Sequence, residues 1–325
     1  MPERRFDHIG ELELLGLTPP DETTMHFLWQ IVDEGVLGAS RHVQLANQLI
    51  LHLIDSGDDG VRRARLVADF ISRTRGHDTP VIGNSLRILL AGLDDIPADR
   101  QAETLRTLVA NWDQAAATRK KTLVETAVRH LSDVRGIMAF DYSSTVSAIV
   151  IALVEHRSDV RIVVPESRAI AGGARYLEEF LPHGLPVDFI PDAAIEHGLM
   201  RCDAALFGVE TLRADGSFLN TIGSRMIARL AAAMGVEIYG ATDLMKLDQR
   251  SYGGHRPTPA LRSYDTILKG GLSIDGLERA TTTAPELDVV PADLTTALFT
   301  EYGVVPPSAI WSLGRLTFGI GENSR

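Results

Sequence analysis

Apolar residues recur at helical spacing through the first third of the chain. Over residues 25–56, Phe27, Leu28, Ile31, Val32, Val36, Leu37, Val43, Leu45, Leu49, Ile50, Leu53 and Ile54 follow the helix period, with a break around 35–38. A second helical stretch covers 61–74. A third starts at Thr79-Pro80, where proline is tolerated in a first turn, and runs to about residue 93. Residues 98–112 and 114–132 predict two more helices. Beyond residue 133 the pattern changes to short apolar runs at 137–140, 161–164, 186–190, 204–207 and 237–239. Helical segments near 143–156, 170–181, 192–199 and 222–234 separate them. Strands alternating with helices predict a parallel, doubly wound sheet with right-handed crossovers. The expected fold class is therefore α/β: a helical N-terminal domain over 1–132, then a Rossmann-like sheet domain over 133–325. The polar, Gly/Pro/Thr-rich stretch 250–285 reads as a long loop.

Composition narrows the function classes. A chain of 325 residues with 45% apolar content can fill two cores. Its net charge of −11 argues against a general nucleic-acid or anionic-membrane binder, since both need a basic face. One cysteine, Cys202, excludes an intramolecular disulfide framework and fits a reducing compartment. No apolar run approaches the roughly 18 residues of a membrane span, and the start lacks the apolar core of a signal peptide. A cytoplasmic location is the expectation.

The densest chemistry lies at 202–224. A strand over 204–207 stops at Gly208 and presents Glu210; a tight turn at Ala214-Asp-Gly216-Ser follows, and a helix starts behind Asn220-Thr-Ile-Gly223-Ser224. In parallel α/β sheets ligands gather at the carboxyl ends of strands, where helix N-termini offer N–H groups to anions. An acid beside an anion site suggests a phosphorylated small molecule. The ten histidines show no metal-ligand spacing, and His77, His156 and His183 read as solvated turns. No metal or cofactor is expected.

Several motifs recur together in one order: Arg75-Gly76 and Ile82-Gly-Asn84-Ser-Leu-Arg87, Glu166-Ser-Arg168 with Gly173-Ala-Arg175, Pro191-Asp192, Gly208-Val-Glu210 with Asp215-Gly216, Asn220-Thr-Ile-Gly223-Ser224, and Leu287-Asp-Val-Val-Pro291. The set resembles the superfamily that joins the regulatory subunits of translation initiation factor 2B with the methylthioribose-1-phosphate and ribose-1,5-bisphosphate isomerases. The resemblance covers residues 70–315. It implies a helical domain, a Rossmann-like domain that dimerises or assembles further, and a pocket between the domains. Carried over by position, it places Arg75, Gly76, Tyr142, Ser143, Arg168, Arg175, Asn220, Thr221, Gly223 and Ser224 on the phosphorylated ligand, with Asp141 and Glu210 as the acid/base pair. The chain also departs from the isomerases. Asp141 stands where they carry cysteine, Glu210 where they carry aspartate, and Thr221 where they carry lysine. Cys202 precedes its strand and so belongs to the other end of the sheet.

Each residue also has a plainer role. Asp141 and Glu210 could cap the helices after their strands; the arginines could be surface ion-pair partners, although a guanidinium also grips phosphate bidentately. Asn220, Gly223 and Ser224 could only shape a turn. Two readings follow. One is an initiation-factor-2B-like protein that binds a sugar phosphate or nucleotide without the family's cysteine chemistry. The alternative is an aldose–ketose isomerase on a phosphorylated sugar, aldose 1-phosphate to ketose 1-phosphate, with Asp141 and Glu210 as its acid and base. Either one implies a homodimer or larger homo-oligomer, and the apolar Ala297-Leu-Phe299 and Ile310-Trp311 suggest an interface over 294–311.

Overall fold

The computed structural model describes residues 8–14, 21–33, 38–57, 59–155, 157 and 159–320. The break expected around 35–37 and His156 lie outside the described residues. The chain divides into two compact units, 1–118 and 119–325.

The described part of the first unit is helical: α1 (His8–Leu14), α2 (Glu22–Ile31), α3 (Ala39–Ile54), α4 (Gly60–Arg73), α5 (Arg75–Asp78), α6 (Pro80–Leu90) and the start of α7 (Ala98–His130). The periodic apolar positions make its core; Leu28, Leu49, Leu53, Phe70, Ile82 and Leu86 are buried. Pro80 opens α6 at its first turn. Residues 98–130 form one helix of 33 residues, not two. No glycine or proline interrupts Trp112-Asp113-Gln114, so nothing ends the helix there.

The second unit holds β1 (Gly136–Phe140), α8 (Ser144–Glu155), β2 (Arg161–Pro165), α9 (Gly172–Phe180), β3 (Val187–Ile190), α10 (Ile195–Leu199), β4 (Ala204–Gly208), β5 (Thr211–Leu212), β6 (Phe218–Thr221), α11 (Ser224–Met234), β7 (Glu237–Ala241), β8 (Leu261–Ser263), α12 (Asp265–Lys269), β9 (Thr283–Pro285), β10 (Leu287–Val290), β11 (Ala297–Thr300), β12 (Gly303–Val305) and α13 (Ile310–Phe318). Seven strands form the main sheet in the order β12-β11-β7-β4-β1-β2-β3. All its neighbours run parallel except β11 and β12. β1 and β4 are buried along their whole length, as near-continuous apolar runs in a sheet covered on both faces should be. One core packs the end of α7 (Leu123, Ala127, Leu131) with α8 and α9 on the sheet; the other packs α10, α11 and α13 on the opposite face. The fold is the expected helical region followed by a mostly parallel α/β sheet.

Three segments depart from the sequence reading. β5, β6 and β10 make a small antiparallel sheet. The expected loop 250–285 contains α12 and both strands of an antiparallel ribbon, β8 and β9. Ala297, Leu298 and Phe299 are strand β11, buried between β7 and β12, and Ile310 is buried as well. Those apolar residues fill the unit's own core; Tyr302, Trp311 and Leu316 are the large side chains exposed nearby.

Candidate functional site

The strand order places a topological switch between β1 and β4. From β1 the chain builds outward through β2 and β3, and from β4 outward through β7 and β11. Crevices at such points, outside the carboxyl ends of the strands, are where open α/β sheets hold ligands. Asp141 directly follows β1 and Glu210 lies two residues beyond β4. Phe140 pairs with Phe207, so both acids leave the sheet at one edge, on neighbouring strands. The loop after β1 leans over the end of β4, since a Cβ on Gly208 would lie 2.6 Å from that of Ser143.

Asp141 is buried, and its two oxygens are bonded separately. Thr221 Oγ1 donates to Oδ2 at 2.5 Å and Ser167 Oγ donates to Oδ1 at 3.0 Å. Burial pushes its carboxyl above the usual range, the nearby Glu210 charge adds to that, and the hydroxyl bonds and the Tyr142 N–H act against it. Glu210 itself is half-buried.

The backbone around this carboxyl is strained. Among the described residues, the non-glycine residues with positive φ are Asp141 at 57°, Ser167 at 46° and Ala171 at 54°, all in the loops after β1 and β2. Such a conformation costs about 1–2 kcal/mol per residue, and it persists where surroundings over-determine it, commonly at functional sites. Asp192 ties the second loop down by accepting from Ser167 N and Arg168 N, each at 2.9 Å. Gly172 and Gly173 have a packing reason. A Cβ on Gly172 would sit 2.0 Å from Asp141 Oδ1, and one on Gly173 would sit 2.2 Å from the Pro165 carbonyl oxygen. Gly172→Ala is therefore expected to cost about 1–3 kcal/mol of stability in denaturant unfolding, as overpacking does, and to displace the Asp141 carboxyl.

The remaining expected residues divide by position. Ser143 precedes α8, its Oγ accepting from Val146 N at 3.4 Å and its N–H donating to Tyr176 Oη at 3.2 Å. Tyr142 donates to Glu179 Oε1 at 2.5 Å, and Glu179 also accepts from Ser147. Burial and that carboxylate push the Tyr142 phenol up to about 12. The Arg175 guanidinium lies over the Tyr142 ring, 5.7 Å from its centroid. Arg168 is exposed, next to Ser167. Asn220 Nδ2 donates to Ser224 Oγ at 3.1 Å, and Ser224 donates to the Thr221 carbonyl at 2.7 Å. Arg75 and Gly76 belong to α5 in the first unit, where Gly76 packs closely on Gly83.

The start of α11 differs from an open anion site. Gly223 N and Arg225 N donate to Asp288 Oδ2 on β10, at 2.8 and 3.3 Å. The anion at this helix terminus is the protein's own carboxylate. Cys202 lies before β4, buried, its thiol pushed up to about 12 by burial; it is inert, away from the carboxyl edge.

Sequence reasoning missed two more acids on this edge. Asp243 follows β7 and Glu301 follows β11, so four successive strands, β1, β4, β7 and β11, each lead to an acid within two residues. Both Glu301 oxygens accept from Leu244 N, at 3.1 and 3.2 Å, and burial with the Asp243 charge pushes Glu301 up to about 7. The signal was an acid closely following an apolar run, at Ala241-Thr-Asp243 and Phe299-Thr-Glu301. Among the described residues no group of His, Cys, Asp and Glu is placed to hold a metal ion, and no helix is long and apolar enough to cross a membrane. His77 contacts Asp78, and His183 Nδ1 lies 2.7 Å from the Glu179 carbonyl oxygen.

Comparison with known proteins agrees with this architecture. A protein of Haloterrigena turkmenica named ribose 1,5-bisphosphate isomerase is 29% identical over 270 residues, which cover 79% of this chain and 81% of that protein. The crystal structure of 5-methylthioribose 1-phosphate isomerase from Pyrococcus horikoshii superposes with a TM-score of 0.74 at 18% identity, covering 90% of this chain and 87% of that one. A translation initiation factor eIF-2B structure from the same organism gives 0.72 at 19% identity, covering 89% and 98%. The family model for the initiation factor 2 subunit family matches residues 62–307, and the chain belongs to that family.

Proposed function

We propose that the protein isomerises a phosphorylated sugar, aldose 1-phosphate to ketose 1-phosphate, with Asp141 as acid and Glu210 as base. One observation carries this reading: two carboxyl groups in unlike surroundings flank the switch point, Asp141 buried with a raised pKa and Glu210 half-buried. Carboxyls whose environments differ in this way can divide acid and base roles. The name of the Haloterrigena relative supports the substrate class.

In the proposed reaction Asp141 gives its proton to the ring oxygen as the C1–O ring bond breaks, its electron pair going to that oxygen. Glu210 takes the proton from C2, leaving an enol across C1 and C2. The proton on Glu210 then passes to C1, and the C2 hydroxyl returns a proton to Asp141 as the ketone forms. Both carboxyls end as they began, and no oxidant or reductant enters. Arg168 and Arg175, exposed beside these loops, are assigned to the phosphate, with Asn220 and Thr221 on the sugar side.

Incubation with aldose 1-phosphates, followed by phosphorus and proton NMR, tests the reaction; formation of a ketose 1-phosphate is the expected result. Arg168→Ala should weaken ligand binding by about 1.5–3 kcal/mol in calorimetry, the worth of a charge-assisted contact. The second reading, binding of a sugar phosphate or nucleotide without turnover, is favoured by the buried, inert thiol and by Asp288 on the α11 terminus. Tight binding with no product would select it, and no binding of any phosphorylated ligand would reject both.

A further inference from the structure

We propose that Thr221 and Ser167 are positioning residues: they hold the Asp141 carboxyl in one orientation and set how readily it releases its proton. The proposal rests on Asp141 being the acid of the site. Its geometric basis is a carboxyl held on three sides. Thr221, at the end of β6, bonds one oxygen at 2.5 Å, and Ser167, after β2, bonds the other at 3.0 Å. Gly172 at the start of α9 packs against Oδ1, leaving no room for a methyl group beside it. Neither hydroxyl is free to turn away. Thr221 and Ser167 are both buried, and the Ser167 N–H is pinned on Asp192.

The groups that bear on this carboxyl come from every element around it. Glu210 after β4 and the Tyr176 hydroxyl on α9 face it, as do the two hydroxyls and the Tyr142 N–H of its own loop. Of these, Glu210 acts on Asp141 through its charge, which raises the Asp141 carboxyl. Burial and Glu210 therefore favour the neutral carboxylic acid, and the hydroxyl donors are the counterweight that favours the carboxylate. Residue 221 is thus a dial on the acid. A hydroxyl there moderates its pKa, a methyl group would let it rise, and an ammonium would hold the carboxyl ionised.

The test is a carboxyl titration of the full-length protein without substrate. Infrared difference spectra against Asp141→Asn, with ¹³C-labelled aspartate, isolate the Asp141 C=O band. Thr221→Val should raise the titration midpoint by about one to two pH units, the worth of one hydrogen bond to a charged group. Thr221→Ser should restore the wild-type midpoint, and Thr221→Lys should lower it. Ser167→Ala should move it upward by less than Thr221→Val, its bond being longer. Identical midpoints for wild type, Thr221→Val and Thr221→Ser would overturn the proposal. If the lysine variant fails to fold, the valine–serine pair still decides. The expected shifts without turnover by the wild type would remove the isomerase reading and leave the positioning role standing. Turnover with an unmoved midpoint in Thr221→Val, and an unmoved alkaline limb in its kcat profile, would do the reverse.

Discussion

Asp141→Asn is expected to lower turnover of an aldose 1-phosphate at least about a hundredfold, the usual scale for loss of a general acid, while ligand affinity stays close to wild type. Asparagine keeps the shape of the side chain, and hydroxyls can accept as well as donate, so the bonds to Thr221 and Ser167 can be re-formed with the amide. What is lost is the transferable proton. The pH dependence has a definite sign. Asp141 must be protonated to act as the acid, and its pKa is raised, chiefly by burial. Activity should therefore fall on the alkaline side as pH rises through that pKa. Stability should follow the same group. Because the folded carboxyl binds its proton more tightly than an unfolded one at 3.8, its favourable contribution is complete below that value. It is lost as pH rises through the folded pKa. Asp141→Asn should flatten this part of the stability curve. Steady-state assays, calorimetric binding and thermal unfolding across pH check the three statements. Wild-type turnover in the variant would end the acid/base assignment.

Phe207→Ala should give the largest loss of stability, about 3–5 kcal/mol, as expected when a fully buried phenylalanine is removed. Phe207 lies on β4 at the centre of the main sheet with no exposed surface. Its ring meets those of Phe140 and Phe218 at centroid separations of 6.4 and 6.2 Å. The cavity would open beneath the site. Phe140 is the residue before Asp141, and its ring lies 3.1 Å from where a Cβ on Gly223 would be. Chemical denaturation followed by circular dichroism should show the transition of the second unit at lower denaturant. A loss below about 1 kcal/mol would mean that this cluster does not govern the stability of the sheet.

The parts of this protein that could be read from the chain are those whose signal is local. Helices α3, α4 and α6 show themselves because each must bury one stripe. The strands β1, β2 and β4 show themselves because a parallel strand buried on both faces is a short unbroken apolar run. Motif order was enough to point to the superfamily and to the carboxyl edge as the place of Asp141 and Glu210. Other features had no local signal. Phe218-Leu-Asn-Thr221 is the middle strand β6 of the small sheet, and its longer pairing is with 287–290, almost seventy residues on. Ala297-Leu-Phe299 looked like an exposed patch because nothing nearby in sequence says that β7 will cover it. Nor can periodicity tell that the N–H groups ahead of α11 are already bonded to Asp288. The environment of Asp141 is the clearest case. Its hydroxyl partners stand 26 and 80 residues away, and Gly172, packed against it, opens a helix 31 residues on. Composition and pattern determined which segments fold and which residues could carry charge. Only the tertiary structure decided which carboxyl is kept from water, and that desolvation is what turns an ordinary aspartate into a candidate acid.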